Sequence, residues 1–107
     1  MAVRMTQVTA LILRAIASGS RYGFDVMERC GLPSGTAYPA LRRLEKGGYL
    51  KGRWERAELA HAEGRPRRRT YELTPLGRDG LTEAEKKLEE IRQLLGALPS
   101  GPSAEVG

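Results

Sequence analysis

Apolar residues recur at helical spacing in three early segments, give way to alternation in two short ones, and return to helical spacing near the end. Val8, Leu11, Ile12, Ala15 and Ile16 trace one face of a helix predicted over Val3–Ser18, which Gly19 and Ser20 end. A second, shorter helix is predicted over Tyr22–Cys30, with Val26, Met27 and Cys30 turned inward. Gly31-Leu32-Pro33 then makes a turn. A third helix begins at or just after Ser34, with Ser34 or Thr36 as its cap, and Ala37, Ala40, Leu41 and Leu44 as its buried stripe. Pro39 lacks an amide hydrogen and is cheap only in a first turn, which favours a start near Gly35 or Thr36. Gly47-Gly48 stops this helix.

The period then changes to two. In "YLKGRWER", Leu50 and Trp54 share one side, and Lys51, Arg53 and Glu55 the other. In "RTYELT", Tyr71 and Leu73 oppose Thr70 and Glu72. Between them "AELAHAEGRPRRR" reads as a long loop, so the two strands and their basic tip form a wing. Thr74-Pro75 is a cap with proline at the first helical position. Leu81, Ala84, Leu88, Ile91, Leu95 and Leu98 follow at alternating spacings of three and four, a coiled-coil type of seam. The segment beyond Pro99 has nothing to bury and is expected to be disordered. The fold class is therefore α+β, mainly α. It is a winged helix-turn-helix of three helices and a two-stranded wing, followed by a C-terminal dimerisation helix. The expected division is 1–74 for the winged domain, 75–98 for the dimer helix and 99–107 for a tail.

Composition narrows the function. The chain has 107 residues, 40% apolar and 29% charged, which suits one soluble domain with a modest core. No membrane span or convincing leader is present, so a cytoplasmic location is expected. One cysteine and one histidine exclude a disulfide framework and a metal cluster, and no cofactor is expected. The same scarcity leaves no nucleophile–base set, so catalysis is not expected. Residues 1–80 carry 15 Lys/Arg against 8 Asp/Glu, whereas 81–107 carry 3 against 5. The first part suits a polyanion and the last does not. Fourteen of the 18 basic residues are arginine, which is suited to bidentate phosphate and guanine contacts.

Four stretches, "YGFDV" at 22–26, "GTAYPALRRLEKGGYL" at 35–50, "GRPRRRTYELTPLGR" at 64–78 and the single helix after them, resemble the PadR-like family of bacterial transcriptional regulators. The length is similar to its small subgroup with one C-terminal helix. The chain departs from the family pattern at Phe24, Ala37 and Thr70, where tyrosine, leucine and an aromatic are common. The resemblance implies a DNA-binding regulator, expected to be a repressor acting as a homodimer on double-stranded DNA.

Ser34, Thr36, Tyr38, Pro39, Arg42, Arg43 and Lys46 lie on the expected DNA face of the third helix, with Tyr38 offering its hydroxyl to a phosphate. One of Arg42 and Arg43 is expected on DNA and the other in an ion pair with Glu45 or Glu28. Arg65, Arg67, Arg68 and Arg69 of the wing are the second cationic group. The dimer interface is expected at Leu81, Ala84, Leu88, Ile91, Leu95 and Leu98. A small-molecule effector at that interface is left open. Trp54 is expected to pack under the wing, the alternative being a ligand pocket between subunits. Cys30 is read as a small core residue. The competing function is a winged-helix module that binds protein. It gains if the wing arginines pair with Glu55, Glu58 and Glu63 instead of facing DNA.

Overall fold

A computed structural model describes residues 5–99. Its elements are α1 (Gln7–Ala17), α2 (Gly23–Cys30), α3 (Ser34–Lys46), β1 (Leu50–Trp54), α4 (Ala57–Ala62), β2 (Arg69–Leu73) and α5 (Pro75–Ala97). The expected start at Val3 and all of the expected tail except Pro99 lie outside the described residues.

Helix α1 starts at Gln7 because Thr6 and Thr9 cap it reciprocally. The Thr9 amide donates to Thr6 Oγ1 at 3.3 Å, and the Thr6 amide to Thr9 Oγ1 at 2.8 Å. Its buried face is rotated from the expected one: Thr9, Ile12, Leu13 and Ile16 are buried, and Leu11 is exposed. Leu13, on another side of the helix from Leu11, is buried because α1 is covered by α2 and α3 and by α5. Ile12, Leu13, Val26, Leu41 and Leu44 are completely buried and form the centre of the core. Each contributes about 1.5–3 kcal/mol of transfer free energy.

Helix α2 ends at Gly31, whose φ of 66° is the left-handed value that glycine adopts without strain. Helix α3 begins one or two residues earlier than expected, and its cap is Pro33 with no side-chain hydrogen bond. Neither Ser34 nor Thr36 caps it. The Thr36 and Ala37 amides both donate to the Pro33 carbonyl, so the first turn is closed well before Pro39. Pro39 therefore stands inside the helix, and the Gly35 carbonyl loses its usual amide partner. The far end stops as expected. The Tyr49 amide reaches back to the Leu44 carbonyl at 2.9 Å, with Gly48 at φ 86°.

Strands β1 and β2 pair antiparallel from Leu50↔Leu73 to Trp54↔Arg69. A further rung comes from the α1–α2 connection, where Tyr22 bridges Thr70 and the Tyr71 amide donates to the Arg21 carbonyl at 2.8 Å. Leu50 and Tyr71 anchor the root of the wing in the core. The long loop holds an unexpected six-residue helix, α4, which tucks Ala60 inward. Thr74 caps α5 through the Gly77 amide at 3.0 Å, and its hydroxyl donates to the Gly48 carbonyl at 2.5 Å. Gly77 packs against the backbone of Tyr49 so closely that a Cβ there would lie 2.1 Å from the Tyr49 oxygen.

Candidate nucleic-acid interface

The stripe of Ala37, Ala40, Leu41 and Leu44 holds α3 against the core and fixes which side chains face outward. Ser34, Tyr38, Arg42, Arg43 and Lys46 are exposed, and Thr36 and Pro39 are half-buried. Among the described residues, Arg42, Arg43 and Lys46 make no ion pair. The expected bond from one arginine to Glu45 or Glu28 is absent because Arg69 of β2 has taken Glu45. Tyr38 is packed on one side and open on the other. Its ring lies over Gly23, where an added Cβ would meet Cε1 at 2.8 Å, yet the residue remains 37% exposed. Tyr71 lies nearby and is buried. That burial pushes its phenol up, and the negative charge of Glu45 adds to the rise.

The wing departs from the expectation of four free arginines. Glu55 is buried, with both carboxylate oxygens bound by Arg65, at 2.5 Å from Nη1 and 2.8 Å from Nη2. Arg65 also reaches Glu63 at 2.9 Å. Arg68 adds its amide to Glu55 at 3.3 Å, a guanidinium contact at 3.5 Å, and stacking over the Tyr22 ring at 4.0 Å. The Arg65 hydrogen bonds hold the Glu55 carboxyl at about 2, well below its ordinary value, although burial opposes them. Arg69 pairs with Glu45 and lies over Trp54. Arg67 donates to the Glu55 carbonyl at 2.6 Å, and its guanidinium has no carboxylate partner among the described residues. Thus Arg65 and Arg69 are tied down as structural cations, Arg68 is shared, and Arg67 alone presents an uncompensated charge. A buried carboxylate needs such partners, and the run of arginines beside Gly64 supplies them. The alternation of β1 placed Glu55 outside, and only its hydrogen bonds show it to be the knot of the loop.

Trp54 does not pack under the wing: it is 58% exposed. Cys30 is half-buried, and its thiol donates to the Leu11 carbonyl at 3.5 Å. Burial pushes that thiol up, against the opposing charge of Arg29.

The α5 seam divides. Leu81 and Ala84, expected at a dimer interface, are buried in the protomer's own core against α1. Leu88, Ile91, Leu95 and Leu98, with Leu94 beside them, are exposed. Between the start of α1 and α5 runs a groove of about 770 Å³ whose walls include Met5, Ala10, Tyr49, Leu76, Leu88 and Ile91. Trp54 takes no part in it. No helix of the described residues is long and apolar enough to cross a membrane, and none of those residues form a three-ligand metal cluster.

Residues 12–83 match the family model described as the transcriptional regulator PadR-like family. The transcriptional regulator Rv3488 of Mycobacterium tuberculosis is 42% identical over 78 residues, covering 72% of this chain. The aligned region spans 62% of that relative's length. A PadR family transcription regulator from Clostridium difficile has a similar structure, with a TM-score of 0.74 and 24% identity, covering 85% of this chain and 96% of its own. BpsR of Bordetella bronchiseptica, whose DNA binding is regulated by 6-hydroxynicotinic acid, superposes with a TM-score of 0.70 at 20% identity, covering 95% of this chain and 74% of its own.

Proposed function

The chain belongs to the PadR-like family of transcriptional regulators, and from that premise we propose that it binds double-stranded DNA as a homodimeric repressor. The observation that carries this reading is the outer face of α3. Arg42, Arg43 and Lys46 stand on one exposed side of a helix, without carboxylate partners among the described residues. An unpaired cation there costs nothing in water and gains most when it meets a phosphate. Ser34, Thr36, Tyr38 and Pro39 lie at the N-terminal end, where base edges are reached when such a helix enters the major groove.

On this reading Arg67 and part of Arg68 contact phosphates beside the groove, while Arg65 and Arg69 shape the wing. Two copies associate through Leu88, Ile91, Leu95 and Leu98, placing two α3 helices on a pseudo-palindromic operator. Repression follows from occupying the promoter. The groove between α1 and α5 adjoins Leu88 and Ile91, so an effector seated there acts on the same seam. In BpsR, similar in fold, DNA binding is regulated by a small molecule, 6-hydroxynicotinic acid.

The test is fluorescence anisotropy on duplexes selected from a random pool, as a function of salt. The cations placed on phosphate here, Arg42, Arg43, Lys46 and Arg67 with a share of Arg68, predict a log–log slope of about −7 to −9 for a dimer. Removing Arg42 and Arg43 together flattens it by about 3 to 4. The pairing of Arg65 with Glu55 and Glu63, and of Arg68 with Glu55, favours a protein-binding module instead. A wild-type protein that enriches no duplex would support that second reading.

A further inference from the structure

Three side chains from three elements meet on the side of the wing that faces α3. Glu45, on the last turn of α3, receives the guanidinium of Arg69 from β2, with the Nε bond at 3.3 Å. The pair passes directly over Gly52 of β1, where a Cβ would stand 2.8 Å from both Arg69 Nη2 and Glu45 Cδ. The Arg69 guanidinium also lies 5.2 Å from the centre of the Trp54 ring. Neither charge is deeply buried, since the two side chains are 27% and 28% exposed. Trp54 is largely open to solvent, so the cluster is not an extension of the core.

Its position poses an electrostatic puzzle. Glu45 is a negative charge set among Arg42, Arg43 and Lys46, on the helix that faces DNA in the function proposed above. A carboxylate there opposes phosphate. We infer that Glu45, Arg69 and Trp54, meeting over the bare Cα of Gly52, form a strut that fixes the angle between α3 and the wing, making Glu45 and Arg69 positioning residues for DNA recognition. The inference rests on that DNA-binding reading. Leu50 and Tyr71 hold the root of the wing in the core, and the Tyr22–Thr70 bridge ties β2 to the α1–α2 connection. Neither of these sets the wing against the last turn of α3, where the strut is the polar link. Two elements that must fit one rigid duplex lose affinity if their relative angle has to be ordered on binding. A selected sequence needs both elements in register, whereas an unrelated duplex tolerates misfit. The strut therefore contributes discrimination more than charge.

Two variants separate these effects. Glu45→Gln removes a charge, and Gly52→Ala keeps every charge but places a methyl where the pair lies. Trp54 is the only tryptophan of the chain, so its emission and acrylamide quenching report in the free protein whether Arg69 has left the ring. Affinity is then measured for a duplex enriched by the wild type from a random pool and for an unrelated duplex of equal length. Both variants are expected to change the emission, keep the wild-type melting temperature within a few degrees, and lower the ratio of selected to unrelated affinity about tenfold. Glu45→Gln should also bind the unrelated duplex more tightly than the wild type does. An unchanged ratio in both variants overturns the strut and leaves the DNA reading intact. A wild type that enriches no duplex overturns the DNA reading, and the proposal with it.

Discussion

Replacing Ile91 by glutamate should abolish the proposed self-association without unfolding the protomer. Leu88, Ile91, Leu95 and Leu98 are between 50% and 65% exposed in the protomer. Full burial of such a side chain contributes about 1.5–3 kcal/mol, so closing the open half gives about 1 kcal/mol each. Eight side chains in a two-fold pair then supply about 8 kcal/mol, against an association cost of about 4–15 kcal/mol. The seam has little to spare. Ile91→Glu removes about 1 kcal/mol from each copy and leaves two carboxylates facing apolar surface. The dissociation constant should rise at least about a hundredfold. Sedimentation velocity over a concentration series measures it. The control is Gln93→Glu, the same charge at an exposed position about 200° further around the helix. Melting temperatures of both variants should stay near wild type. Wild-type association of Ile91→Glu, or equal dissociation of both variants, would refute the seam.

Gly77→Ala should cost about 3 kcal/mol or more in urea unfolding, because the methyl meets the backbone oxygen of Tyr49 at 2.1 Å and cannot be accommodated by a rotamer change. Tyr38→Phe should weaken DNA binding about three- to tenfold while leaving the melting temperature unchanged, since the ring keeps its seat on Gly23 and loses only its hydroxyl. For Glu55, the folded carboxyl ionises at about 2 against an ordinary 4.5. Folding thus favours the ionised form, so the stability from the Arg65–Glu55 knot is complete above pH 4.5 and is lost as pH falls toward 2. Unfolding curves of wild type and Glu55→Gln should differ at neutral pH and converge over that window; a constant difference across it would contradict the knot.

Much of this fold is written in local pattern. The two glycines after Lys46 and the Thr74-Pro75 start each dictate backbone geometry within a few residues and match the structure; the alternation in Leu50–Trp54 and Arg69–Leu73 locates both strands, although Trp54 faces solvent and Glu55 is buried. The start of α3 was less legible. Pro39 argues for a late start on its own account, but the carbonyl of Pro33 captures two amides first, and packing of Ala37 to Leu44 tolerates the lost hydrogen bond. The exposed α3 cations were readable because a helical stripe fixes its opposite face. The fate of the wing arginines was not. Their partners Glu45 and Glu55 lie 24 and 10 residues away from Arg69 and Arg65, and only the folded sheet brings them together. The seam shows the same limit: spacing identifies five apolar positions on α5 and Leu98 at its cap, but only packing against α1 shows that Leu81 and Ala84 belong to the protomer's own core.

Hydroxyl-radical footprinting on an enriched duplex bears most directly on two α3 helices meeting one operator. The protein should protect two symmetric patches on one face of the DNA, their centres about 34 Å apart, one helical turn, or a multiple of that spacing. Arg42→Ala should weaken both patches together. A single asymmetric patch, or protection that survives loss of Arg42, Arg43 and Lys46, would contradict the account.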